Sequence, residues 1–218
     1  MATQQVLNIG WLNALNAKKV ILASSSPRRK DILSNLGVNY TVVPSTFPET
    51  LDKSKFNHPS EYVKANAYYK ALEVYDRLKS TGDTPDLVIG ADTVVAYASQ
   101  ILEKPKDEQD AIRMLKSLSG SSHMVYTGVT LIAPPSDNSD TPRIVTEVEG
   151  TEVMFQTLED DVIEAYAKTG EPLDKAGAYG YQTTGSLLVK GINGCSWNVI
   201  GLPASKLFFM LKDFTAEP

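Results

Sequence analysis

The chain has 218 residues, 42% of them hydrophobic, with a formal net charge of −5 and a single cysteine. That apolar content supports a packed core and excludes global disorder. The acidic balance argues against a nucleic-acid scaffold, whose surface must be broadly basic to displace counterions, while leaving room for a small anionic ligand held by a few local Arg and Lys residues. Cys195 has no partner for an internal disulfide, in keeping with a reducing compartment. The first 17 residues show no basic stretch and no small-residue cleavage site, and no apolar run approaches the roughly 20 residues of a membrane span. The expectation is a cytoplasmic protein with one domain over 1–218 and a core over 18–214, without a membrane or nucleic-acid partner.

In chain order, residues 20–23 read as a short buried strand, followed by Ser24, Ser25 and Ser26 and then a helix to about 36. Ser26 suits its cap, Pro27 its first turn and Gly37 the position past its end. A second strand is expected over 40–43 and a long helix from 57–60 to about 78, broken by Gly82 and Pro85. Residues 87–95 form a strongly apolar central strand, interrupted by Asp92 and Thr93. After a turn near Ser99 and Gln100, Asp107 caps a helix with Ile112, Leu115 and Leu118 on one side. Alternating stretches over 124–132 and 144–155 predict two long antiparallel strands, joined by a polar mobile surface loop at 134–142. Residues 159–168 and 204–214 read as helices, and 171–185 as a structured loop rich in Gly and Tyr.

The strand-to-helix turn at 24–29 presents free backbone N–H groups along the positive end of the helix dipole. The Ser24 and Ser26 hydroxyls add donors, and Arg28 and Arg29 add forked charges suited to phosphate oxygens. The plainer alternative is a serine cap followed by solvated arginines. The chain holds no G-x-x-x-x-G-K-[ST] and no G-x-G-x-x-G, so a P-loop kinase and a Rossmann dehydrogenase lose ground. Asp92 in its apolar strand must be ion-paired, protonated or metal-bound; a structural pair and a catalytic role are both open on these residues. Lys70 shares a helical face with Val63, Ala67 and Val74, where it either snorkels to the surface or serves a site. Lys104 before Pro105 and Glu49 in a loop are, on these residues alone, ordinary surface side chains. His58 and His123 lack companions at ligand spacing, so no zinc site is expected.

Together the segments resemble the Maf family of nucleotide pyrophosphatases over most of the chain. The carrying motifs are Leu22-Ala23-Ser24-Ser25-Ser26-Pro27-Arg28-Arg29, Lys70-Ala71, Gly90-Ala91-Asp92-Thr93-Val94-Val95, Leu102-Glu103-Lys104-Pro105 and Leu173-Asp174-Lys175-Ala176-Gly177-Ala178-Tyr179-Gly180. The resemblance implies an α/β fold on a long twisted mixed sheet flanked by helices, with two lobes and a central cleft, as in Maf and ITPase-like proteins. It implies phosphate binding by Ser26, Arg28 and Arg29, to which the turn adds the Ser24 hydroxyl, and catalysis by Asp92, Lys70, Lys104 and Glu49. Glu49 and Asp92 would carry Mg²⁺ or Mn²⁺, and Thr93 and Gln182 would meet the base. The branch it looks like acts on dTTP and UTP, releasing pyrophosphate, and a homodimer is implied. The departures are Ser25 where many relatives carry another small residue, Tyr181 where Ile is usual, and Thr183-Thr184 where a Gly commonly follows the Gln. The competing expectations are the same reaction on 7-methyl-GTP or another purine nucleotide, and a non-catalytic nucleotide-binding regulator.

Overall fold

The computed structural model describes residues 7–135 and 140–216. Residues 136–139 of the expected 134–142 surface loop lie outside the described residues. The strands are β1 (Val20–Leu22), β2 (Thr41–Val42), β3 (Leu87–Tyr97), β4 (Gln100–Leu102), β5 (Ser122–Ala133), β6 (Arg143–Phe155) and β7 (Val189–Asn193). They form one seven-stranded mixed sheet in the order β2-β1-β3-β5-β6-β7, with β4 pairing to β3. The helices are α1 (Gly10–Asn16), α2 (Pro27–Asn35), α3 (Pro59–Ser80), α4 (Glu108–Leu118), α5 (Asp160–Lys168), α6 (Ser196–Ile200) and α7 (Ala204–Ala216).

The edge of β3 opposite β5 is shared between two short strands. β1 pairs parallel with Leu87, Val88 and Ile89, whereas β4 folds back antiparallel on Val95, Ala96 and Tyr97. Between these pairings, residues 90–94 have no strand on that side, while β5 pairs with all of them on the other. The sheet is therefore open along part of its most buried strand. The chain leaves β1 into α2, and leaves β4 towards Lys104, on either side of this opening.

Strand alternation assigns the faces. Leu87, Ile89 and Ala91 join a core with α1, α2 and α7, and Val95 joins a second core with α4, α5 and Tyr179. On the same face, between these two cores, Thr93 Oγ1 lies 3.0 Å from Thr127 Oγ1. The opposite face is covered by α3, whose backbone comes so close that a Cβ on Gly90 would sit 2.6 Å from the Ala67 carbonyl oxygen, and one on Gly128 2.6 Å from that of Val63. Asp92 pairs across the ladder with Gly128 and so faces α3. Val63, Ala67, Lys70 and Val74 are all buried there, as their spacing predicts.

The structure adds α1, β7 and α6 to the expected elements. The first has seven residues and no side-chain cap, and β7 reads Val-Lys-Gly-Ile-Asn, without the alternation that marks a half-buried strand. Ser26 occupies the cap position of α2, but its side chain makes no capping bond. The 171–185 loop is built of 3₁₀ turns at Glu171–Asp174, Ala176–Ala178 and Thr184–Leu188. Among the described residues no helix is long and apolar enough to cross a membrane.

His123 is a buried imidazole in the second core, its Nε2 2.8 Å from the Tyr179 hydroxyl and its Nδ1 without a partner among the described residues. Burial drives its pKa down from 6.5 to about 4. The unfolded chain then takes up this proton at higher pH than the folded one, so stability is complete above about pH 6.5 and falls as pH drops towards 4. Urea unfolding of His123→Gln over this range should show a shallower decline than the unsubstituted protein; equal slopes would remove His123 as a cause.

Candidate active site

A cleft of about 550 Å³ occupies the opening in the sheet. It is lined by Ser24, Ser26, Arg28, Arg29, Glu49, Lys70, Asp92, Thr93 and Lys104, nine of the ten side chains singled out from the sequence. Gln182 is exposed and is not among the lining residues; its neighbour Tyr181 is.

The first wall is the turn from β1 into α2. Ser26 does not cap the helix and Pro27 has no N–H, so the first-turn amides of Arg28 and Arg29 remain available to an anion. Arg29 is fixed by three bonds: Nε donates to the Gly201 carbonyl at 2.9 Å, Nη1 to Ser24 Oγ at 3.1 Å and Nη2 to Thr93 Oγ1 at 3.1 Å. All three acceptors are neutral, so its charge stays uncompensated by direct contact. Burial lowers the Arg29 pKa, and Asp92 and Glu49 oppose that shift. Arg28 spans the cleft instead, with Nη1 3.1 Å from Asp174 Oδ2 and Nη2 donating to the Asp174 carbonyl at 3.3 Å.

The second wall is α3. Lys70 Nζ lies 2.8 Å from Asp92 Oδ1 and 2.8 Å from Glu49 Oε2. The Lys70 and Asp92 side chains are each 10% exposed, whereas Glu49 is 54% exposed. A buried carboxylate thus has the cation its burial demands, and a second, solvent-facing carboxylate completes the cluster. Among the described residues no three His, Cys, Asp or Glu side chains gather as a metal cage. The two carboxylates do converge on one cationic point, and Mg²⁺ is commonly held by one or two carboxylates with substrate phosphate oxygens supplying the remainder. The donor set fits such a shared ion.

The third wall follows β4. Lys104 is exposed and, among the described residues, has no ion-pair partner. Glu103 beside it accepts from Tyr62 OH at 2.7 Å and pairs with Lys53 at 2.7 Å. Glu103, Asp174, Lys175 and Tyr181 also line the cleft, although none of them was assigned a role from the sequence. The available signal was position: Glu103 precedes Lys104, Tyr181 precedes Gln182, and Asp174 and Lys175 lie within a motif that carries the family resemblance. Lys175 is only 11% exposed and is turned onto the Glu171 carbonyl and Asp174. Val95, Val125, Ala176, Val199 and Ile200 give the cleft an apolar stretch of lining. Charged groups that suit a phosphate tail therefore share the cleft with a surface that suits a flat, weakly polar ring.

A family profile described as "Maf-like protein" matches residues 19–214. A "dTTP/UTP pyrophosphatase" from Acetivibrio thermocellus is 46% identical over 198 residues, covering 90% of this chain and 95% of that protein. Another of the same description from Clostridium perfringens is 46% identical over 196 residues, 90% of this chain and 97% of that one. A human "Probable bifunctional dTTP/UTP pyrophosphatase/methyltransferase protein" is 48% identical over 188 residues, 85% of this chain, which spans only 30% of that longer protein. Among solved structures, a HAM1 protein from Coxiella burnetii covers 90% of this chain and 99% of its own at 16% identity, with a TM-score of 0.46. The profile runs from the start of β1 into the last helix, taking in every wall of the cleft, and on that match the chain belongs to the Maf family.

Proposed function

We propose that this chain hydrolyses dTTP and UTP to the monophosphate and pyrophosphate, by attack of water at the α-phosphorus with Mg²⁺ or Mn²⁺ bound. The observation that carries the reading is the convergence, in one cleft, of the α2 amides, two arginines and a free lysine with the Lys70-Asp92-Glu49 cluster. A triphosphate repels an incoming nucleophile, so catalysis here is mostly charge neutralisation and positioning. Arg29 and the α2 amides hold the phosphate tail, and Arg28 joins them by exchanging Asp174 for phosphate oxygen. Glu49 and Asp92 would hold the divalent ion, which supplies neutralisation of the phosphate oxygens when bound. Asp92 accepts the proton of the attacking water, held in place by Lys70. The water oxygen bonds to the α-phosphorus, and the bond to the bridging oxygen breaks with its electron pair leaving on pyrophosphate, whose charge Lys104 meets.

The base is assigned to the apolar lining, next to Thr93 and Tyr181. Gln182 reaches it only if the segment around 181–184 turns inward, although its amide suits a pyrimidine edge in offering both a donor and an acceptor. The cytoplasmic location and the homodimer implied by the family resemblance belong to this proposal. Sedimentation at micromolar concentration checks the latter.

A panel of UTP, dTTP and 7-methyl-GTP, with and without Mg²⁺, tests the reading. Pyrophosphate without free orthophosphate is expected from the pyrimidine substrates. Saturable binding without turnover would make the protein a regulator, and a purine preference would overturn the base assignment. Asp92→Asn should keep the fold and lower kcat by at least ~10²-fold, the loss expected for a general base; near-normal turnover removes it from catalysis. Lys70→Met leaves a buried carboxylate without its close cation and should cost about 3 kcal/mol in urea unfolding at pH 7. An unchanged midpoint would show that the pair contributes nothing to stability.

A further inference from the structure

Glu49 sits in a segment without regular structure between β2 and the turn at Lys53–Lys55, half exposed, with Lys70 as its ion-pair partner. Such a loop holds a carboxylate at a fixed point only if its backbone is anchored elsewhere. The anchor is one turn along α3 from Lys70. Glu73 Oε2 accepts from Ser45 Oγ and from the Thr46 amide, both at 2.9 Å, and Oε1 accepts from Thr46 Oγ1 at 2.9 Å and from Arg77 Nε at 2.6 Å. A carboxylate offers about four acceptor positions, and here each is filled. Arg77 also donates to the Pro44 carbonyl at 2.9 Å, and Phe47 stacks on Tyr69 of the same helix at 5.2 Å between ring centroids. Residues 44–47 are thus fastened to α3 at several points, two residues before Glu49.

We propose that Glu73 is a positioning residue, whose carboxylate clamps the Ser45-Thr46 turn to α3 and so sets where Glu49 meets Lys70 and the bound substrate. This rests on the proposed function for the role of Glu49 but not for the clamp itself. The four donors draw the Glu73 pKa down from 4.5 to about 2 against the opposing effect of burial, so the clamp carries its charge at any working pH. Shape alone is insufficient: a glutamine would turn an NH₂ group towards two donors, and at least one of them would lose its acceptor.

Glu73→Gln should raise amide hydrogen exchange at Thr46 and across 47–50 by at least ~10-fold, the mark of a loop released from its scaffold. With Mg²⁺ and UTP, kcat/KM should fall on the order of 10-fold, since small misplacements near the chemistry are costly. In an Glu49→Gln background the same substitution should add almost nothing, because Glu73 acts through Glu49. Thr46→Val, which removes one donor and keeps the carboxylate, should show the same pattern at smaller size and serves if Glu73→Gln fails to fold. Unchanged exchange in a folded variant overturns the clamp. Losses from Glu73→Gln and Glu49→Gln that multiply, or a lower Tm with kcat/KM intact, overturn its positioning role. If the unsubstituted protein turns over no triphosphate, the functional reading fails while the exchange result still decides the clamp.

Discussion

Successive side chains of a strand point to opposite faces of the sheet, so Asp92 and Thr93 can serve one cleft only where the sheet is open at its edge. That opening exists because β1 ends its pairing at Ile89 and β4 begins its own at Val95. Around it, α3 brings Lys70 to one face, while Arg29 reaches Thr93 on the other. The close approach of α3 at Gly90 and Gly128 makes the Lys70 contact possible, since a larger residue at either position would push the helix away from Asp92. The same opening separates the two cores on the α2 side of the sheet, which gives the cleft its two lobes.

The charges in the cleft differ in how far each is committed. Lys70 is spent on Asp92 and Glu49, and Arg28 on Asp174. Arg29 bonds neutral oxygens, and Lys104 has no ion-pair partner among the described residues. Under the proposed function an arriving polyphosphate would meet Arg29, Lys104 and the α2 amides at once, while Arg28 would have to exchange one anion for another. That exchange reaches across the cleft, because Asp174 belongs to the 3₁₀ segment beside the second core and Arg28 to the helix packed on the first. Under the proposed function, phosphate binding by Arg28 would come at the expense of this one contact across the cleft.

Much of the site was legible because its residues break a local rule. Asp92 interrupts an apolar strand, Lys70 an apolar helical stripe, and two arginines sit where a helix dipole disfavours cations. The first two violations are compensated by their shared ion pair; of the third, Arg28 is paired with Asp174 while Arg29 bonds only neutral oxygens. Glu73, Glu103 and Asp174 break no such rule, since an acidic residue on an amphipathic helix or in a loop looks like ordinary surface. Their partners lie 27, 41 and 146 residues away, at Thr46, Tyr62 and Arg28. Gln182 shows the converse: its amide suits a base, yet its backbone places it outside the cleft lining.

From the sequence by itself came the alternation that marks the long strands, the period that marks α3 and α4, the phosphate-suited turn, and the family resemblance carried by motifs in order. These follow from local chemistry, since a hydrophobic period or a serine-proline-arginine turn acts over a few residues. Tertiary structure alone decided that β1 and β4 would share one edge and leave it open between them, which carboxylate Lys70 would neutralise, and that a glutamate one helical turn away would hold the Glu49 loop. Those outcomes depend on contacts between distant segments, whose geometry is set by how closely α3 can approach the sheet.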